Sequence, residues 1–255
     1  MQPLQHHTGR RGRHAGVLAL FAACSMAAPR LAAQGRDAQG HQYIVGVDVS
    51  SSVTDPQRED QQRALAGLVK RMQPGDRIVI VETYRQGTLA ARQWIDSIPR
   101  PRHEGPPSSR DRQNVQVFQV VAGRMASSFL KPPAQSIMST DLLRTISRAA
   151  DYAKSGAGRR TTLVLLSDML QSTREVNMES GAIPGDAWFQ ARRREGRLPD
   201  LRSVCVFVIG GDPTTKTGAR VRRFWEHYFV AAGATFPPEN YRNMVADADE
   251  IGCSR

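Results

Sequence analysis

The chain has 255 residues, 40% hydrophobic and 23% charged, with a formal net charge of +11. That balance excludes a small stapled scaffold, because one domain of about 200 residues buries a sizeable core without metal or disulfide support. The positive charge is nearly all arginine, the lysines being Lys70, Lys131, Lys154 and Lys216.

Residues 1–33 read as a secretory signal. Arg10, Arg11, Arg13 and His14 form a basic start. Ala15 to Ala28 is an apolar run too short for a comfortable membrane span, and Ala32-Ala33 offers a cleavage point. Phe21-Ala-Ala-Cys24 resembles a bacterial lipobox, with Phe at the position usually held by Leu. If it acts as one, Cys24 is lipidated and the protein is anchored in the envelope. Otherwise the product is periplasmic or secreted, and a membrane association is expected only through Cys24. Residues 34–41 form a short linker.

The run Tyr43–Val47 lacks polar alternation and predicts a strand buried on both faces. It ends in Asp48-Val-Ser50-Ser-Ser52, whose alternate positions point the same way along an extended chain. Asp55 as N-cap and Pro56 at the first helical position predict a helix over about 56–72. Its buried face carries Leu65, Leu68, Val69 and Met72. Arg77–Tyr84 predicts a second strand, and Thr88–Ile98 a weaker one at an edge. Residues 99–114, with four prolines and four arginines, read as an exposed loop.

A helix follows through Val117, Phe118, Val121, Met125 and Phe129, closed before Pro132. Thr140-Asp141 opens another, with Leu142, Ile146, Ala149, Ala150 and Ala153 on one side. Thr161–Leu166 is a further buried strand, ending in Ser167-Asp168. A long loop over 169–185 leads to a short helix near 186–195. Ser203–Ile209 is the last central strand, and Val221, Phe224, Trp225, Tyr228 and Phe229 mark an amphipathic helix. The segment 234–255 reads as a polar tail. Alternating strands and helices imply an α/β fold, a doubly wound and mostly parallel sheet with helices on both faces. Sites in such sheets form at the carboxyl ends of the strands.

Asp48, Ser50, Ser52, Thr140 and Asp168 are predicted to meet at that edge, as hard oxygen donors of the kind magnesium prefers. Singly, each has a plain structural role: Ser50 and Ser52 in a turn, Thr140 as an N-cap, Asp168 capping a loop. Together, D-x-S-x-S, a Thr opening a helix and an Asp ending a strand resemble the von Willebrand factor A-type (vWA) domain with its metal-ion-dependent adhesion site. The resemblance covers residues 42–233. It departs in the long spacing from Asp48 to Thr140 and in Met169, where the family often has Gly. It implies direct contacts from Ser50, Ser52 and Thr140 to Mg2+ (or Mn2+ or Ca2+). Asp48 and Asp168 would act mostly through water. It implies an exchangeable metal position that accepts an Asp or Glu carboxylate of a partner protein.

Two other functions compete. A magnesium-dependent phosphohydrolase or nuclease could use the same pocket. Against it, His41 precedes the first strand, His103 lies in a loop, His227 lies on a helix, and there is no Gly-rich phosphate loop ending in Lys. A metal-independent scaffold is the other. Arg192–Arg194, Arg197 and Arg202, with Arg220, Arg222 and Arg223, read as solvated faces. No nucleic acid partner is expected, since stacking aromatics are not interleaved with the first cluster. Asp141 and Asp212 read as surface or turn residues. Cys205 and Cys253 permit a disulfide in an oxidising compartment; a buried thiol beside an exposed one is the alternative.

Overall fold

The computed structural model describes residues 40–85, 90–101, 105–131, 139–156, 158–245 and 247–253. The targeting segment with Cys24, and His103, lie outside them. The described strands are β1 (His41–Val47), β2 (Arg77–Glu82), β3 (Gln93–Ser97), β4 (Arg160–Leu166), β5 (Val204–Ile209) and β6 (Tyr241–Arg242). The helices are α1 (Asp55–Arg71), α2 (Ser109–Phe129), α3 (Leu142–Ser155), α4 (Asp186–Arg194) and α5 (Lys216–Ala231).

One sheet runs in the order β3-β2-β1-β4-β5-β6. All neighbours are parallel except β3, which pairs antiparallel with β2. The α/β expectation therefore holds, including the weak edge strand. The central strands are apolar because both faces are covered. On one side Val45, Val47, Leu166 and Ile209 pack with Leu65 and Leu68 of α1, Met72 just after it, and Phe118 and Phe129 of α2. On the other, Ile44, Leu163, Leu165 and Val208 pack with Ile146 of α3, Phe189 of α4 and Trp225 of α5. Each large apolar side chain buried this way contributes about 1.5–3 kcal/mol.

Four local readings differ from the structure. Thr54, not Asp55, is the N-cap of α1, and its N–H donates to Gln57 Oε1 at 2.9 Å. Asp141, not Thr140, caps α3, accepting from the Arg144 N–H at 3.1 Å. Helix α2 begins at Ser109, inside the stretch read as a loop, because Ser108 and Asp111 form a reciprocal cap that outweighs the polar first turn.

The fourth concerns the segment read as a tail, which adds β6 to the sheet beside Val208 and Ile209. The same segment then lays Ala248 against Gly67 of α1 and accepts from Arg71 at the Ile251 carbonyl, 2.6 Å away. Cys205 and Cys253 are joined as a disulfide.

Candidate metal centre

Strands β1 and β4 are in register through Val47 and Leu166, and the next N–H, that of Asp48, donates to the Leu166 carbonyl at 2.9 Å. This pairing brings the two strand ends, and with them the two acids, side by side. Asp48 is fully buried and both its oxygens are engaged. Oδ1 accepts from the Ser50 N–H at 2.9 Å, and Oδ2 accepts from Ser167 Oγ at 2.6 Å. The Ser50 and Ser52 hydroxyls lie 2.9 Å apart, so the alternating donors do converge.

Asp168 is placed differently. Its Oδ1 accepts from the Leu170 N–H at 2.9 Å. Its Oδ2 is buried and has no hydrogen-bond partner among the described residues, although the residue as a whole is partly exposed. Burial pushes this carboxyl up to about 7, the nearby Asp48 charge adds to the rise, and the Ser52 hydroxyl works against it. Burial likewise raises Asp48, opposed by the bonds from Ser167 and Ser50 and by the Arg58 charge. Two carboxyl groups sharing a water-poor pocket disfavour each other's ionisation. A cation between them would reverse that preference.

Thr140 is buried and reaches the same edge through its backbone. Its carbonyl accepts from Ser172 in the loop after β4 at 2.9 Å. The next residue, Asp141, donates to the Tyr84 carbonyl just past β2 at 2.7 Å. β2 is in turn β1's other neighbour, with the Thr83 N–H donating to the Val47 carbonyl at 2.9 Å. Thr140 is thus held between the loops leaving the strands on either side of Asp48. Asp212 is a turn residue, accepting from Thr214 at Oδ1. His41 sits at the far end of β1 beside Thr162, and His227 lies on α5 against Phe189.

Three supporting residues were not singled out from the sequence. Ser167 ties the end of β4 to the first acid: its hydroxyl donates to Asp48 and accepts from the Met169 N–H at 2.9 Å. Arg58 is buried and donates to the Ser50 carbonyl at 2.6 Å, fixing the D-x-S-x-S turn from below. Gln61 is fully buried beside Gly210. A signal for two of them existed, since Arg58 and Gln61 continue the spacing of Leu65 and Leu68 along the buried stripe of α1. Gly210 has φ +110°, and a Cβ there would lie 2.8 Å from the Ser167 carbonyl, so only glycine lets β5 turn this close to the site.

Met169 explains how the chain manages without the glycine expected there. It adopts φ 66°, the left-handed region. Its side chain is fully buried, and its carbonyl accepts from Trp225 Nε1 at 2.8 Å. The backbone conformation costs about 1–2 kcal/mol, whereas losing a buried Met side chain costs about 2–5 kcal/mol. Packing wins, so Met169→Gly is expected to destabilise the protein by about 1–3 kcal/mol in urea unfolding. An increase in stability would show that strain, not packing, dominates at this position.

No protein-family model matches the sequence, and no curated protein sequence matches it. Several solved structures are similar in shape. A pilus adhesin, SpaC, from Lactobacillus rhamnosus GG aligns at 10% identity over 84% of this chain and 29% of that chain, with a TM-score of 0.46. Proximal thread matrix protein 1 from the mussel byssus aligns at 14% identity over 79% of this chain and 44% of that one, with a TM-score of 0.40. A von Willebrand factor type A structure from Catenulispora acidiphila aligns at 12% identity, 76% and 43% coverage and a TM-score of 0.36. The chain spans less than half the length of each of the three. Likeness this distant carries nothing about ligands, and the α/β architecture rests on the strand order and register themselves.

Proposed function

We propose that this chain is an exported vWA-type binding module. In this reading Asp48, Ser50, Ser52, Thr140 and Asp168 hold a divalent cation, with Mg2+ first and Mn2+ or Ca2+ as alternatives. The cation then accepts an Asp or Glu carboxylate of a partner protein. The observation that carries the reading is Asp168 Oδ2, a buried carboxylate oxygen without a hydrogen-bond partner among the described residues. It lies beside a second buried acid and two convergent hydroxyls. Such an arrangement is costly for the bare protein and favourable for one that binds a hard cation.

The chain's own residues supply the rest. Arg58 and Ser167 fix the positions of the Ser50 turn and the Asp48 carboxylate. The hydroxyl donors are neutral, so a bound cation would keep positive charge for an incoming anion. Export is part of the proposal, supported by the basic and apolar pattern of residues 10–33 and by the Cys205–Cys253 disulfide, a bond favoured in oxidising compartments. Among the described residues no helix is long and apolar enough to cross a membrane.

Isothermal titration with magnesium and manganese tests the site. Saturable one-site binding is expected for the wild type and none for Asp48→Ala. Equal binding by both proteins, or none by the wild type, would overturn the metal centre. Hydrolysis of aryl phosphates or nucleic acid by the loaded wild type, lost in Asp48→Ala, would favour the phosphohydrolase reading instead.

A further inference from the structure

The edge opposite the candidate centre, where the parallel strands begin, is basic. At the start of β1, His41 pairs with Arg160 of β4, and Gln42 pairs with Arg77 of β2. Gly75, just before β2, is where the neighbouring segments meet. A Cβ on Gly40 would lie 2.5 Å from the Gly75 carbonyl oxygen, and a Cβ on Gly75 would lie 3.3 Å from Arg100 Nε. Arg159 donates to the same Gly75 carbonyl. Arg77, Arg100, Arg159 and Arg160 thus frame Gly40, the first described residue. The helices add to this charge, because α1 and α3 run back to the same edge. They bring Lys70 and Arg71, and Lys154, in their last turns, where a cation suits the helix dipole. Arg71 lies over the Tyr43 ring, and the Tyr152 carbonyl of α3 accepts from Gln42 at 3.0 Å, so both helix ends do reach the start of β1.

Much of this charge is held by neutral acceptors. Arg77 donates to Gln42 Oε1 at 2.9 Å and Arg71 to the Ile251 carbonyl at 2.6 Å. Such bonds position a guanidinium without cancelling its charge. Acids answer the rest only in part. Asp76 is buried and accepts from the His41 and Gln73 N–H groups at 2.7 and 2.8 Å. Asp249 stands 3.7 Å from Arg71, and Asp200 is taken up by Arg202 at 2.8 Å. Burial, then the charges of Arg100 and Arg77, lower Arg159 from its ordinary value, as expected where like charges are kept close together.

We propose that this edge docks on a membrane surface rich in anionic phospholipid. Two features favour a membrane as the occupant. The charge is spread along the sheet from β3 to β4, three strand spacings or about 15 Å, which suits a surface of many headgroups. The chain that carries the apolar run 15–28 and Cys24 also joins the domain at Gly40, inside the patch. Residues 25–39 separate Cys24 from Gly40, a reach of about 50 Å at most, so a lipid on Cys24 would hold the domain by this edge. The proposal uses none of the metal-centre residues and stands apart from that reading.

The test measures partition of the full chain onto vesicles of phosphatidylcholine, with and without phosphatidylglycerol, in about 0.1 and 0.5 M salt. Any contribution of the apolar run acts on both kinds of vesicle and cancels in their ratio. At the lower salt the wild type is expected to favour the anionic vesicles by about 100-fold or more, since each basic residue near such a surface contributes about fivefold. Most of that preference should vanish at the higher salt. Arg100→Gln/Lys154→Gln/Arg160→Gln should lower it by about tenfold or more. Lys216→Gln/Arg220→Gln/Arg223→Gln removes the same charge from exposed positions on α5, which follows the carboxyl end of β5, and should retain it. A wild type indifferent to lipid charge overturns the proposal. So does a preference that resists salt, one that survives the patch variant, or one that falls equally in the control. Patch-dependent binding of soluble polyphosphate without a vesicle preference would assign the edge to a soluble polyanion instead. If the triple patch variant fails to fold, Lys154→Gln/Arg160→Gln, altered at two exposed positions, carries the same comparison.

Discussion

Asp168→Asn is expected to stabilise the metal-free protein by about 2–4 kcal/mol near pH 8 and to abolish the response to magnesium. The sign follows from linkage. The Asp168 carboxyl is raised from 3.8 to about 7 in the folded state, so the native protein holds this proton after the unfolded chain has released it. Between about pH 4 and 7 the unfolded state therefore binds fewer protons, and stability falls as pH rises. The upper figure is the full shift converted at 1.36 kcal/mol per unit, and partial exposure of the residue lowers it. Asparagine removes the titration, so the advantage of the variant should vanish near pH 4 and reach its plateau above 7.

His41 acts oppositely over nearly the same range. Burial, aided by Arg160 and Arg71, lowers it to about 4, which favours the native state as pH rises through about 4 to 6.5. His41 therefore offsets part of the Asp168 contribution in the wild type alone. The contribution of Asp168 emerges only in the difference between the two proteins, where His41 cancels. Urea melts near pH 4, 6 and 8, in chelator and in magnesium, measure it. A variant less stable than wild type in chelator at high pH would show that the buried carboxylate is not a burden on the bare fold. Magnesium stabilisation that survives the substitution would remove Asp168 from the ligand set.

The second large effect concerns the disulfide. Cys205 and Cys253 are 48 residues apart in sequence, and closing a loop of that length restricts the unfolded chain by about 4 kcal/mol in the chain-entropy account. Cys253→Ser should lower the melting temperature by about 10 °C. Reductant should lower the wild type similarly and leave the variant unchanged. Other native contacts also hold the segment, among them β6, the Thr235 backbone pairs with Val204 and Val206 at 2.9 Å, the Asn240 bond to the Val206 carbonyl at 2.8 Å, and the turn against α1. An unchanged melting temperature would mean that these contacts alone hold the segment.

The order of strands and helices was legible because the central strands are uninterrupted β-branched and leucine-rich runs, which the sheet requires when both faces are covered. The acids were legible for a related reason: Asp48 and Asp168 interrupt those runs at their carboxyl ends. Most of what escaped had no period to betray it. β6 is two residues long and is stabilised by tertiary pairing alone. The first turn of α2 is Ser-Arg-Asp-Arg, polar throughout, and its start is set by the cap at Ser108 rather than by any apolar spacing. Thr54 and Asp141 show the same limit, since adjacent capping residues differ by one position and local geometry decides between them. Ser167 was hidden because a hydroxylic side chain at a strand end reads as a solvent residue until the site above it is known, whereas Arg58 lay on the periodic stripe of α1 and was passed over for its charge.

The disulfide also fixes a direction. Cys205 lies near the amino end of β5, and His41 opens β1 at that same end of the sheet. Gly40 lies against Gly75, just before β2 begins, on that edge too. Residues 40 and 253 therefore leave the domain on the side facing away from Asp48 and Asp168. A tether attached through either one would present the acidic edge outward like the tip of a probe, with the sheet as a rigid spacer between anchorage and contact.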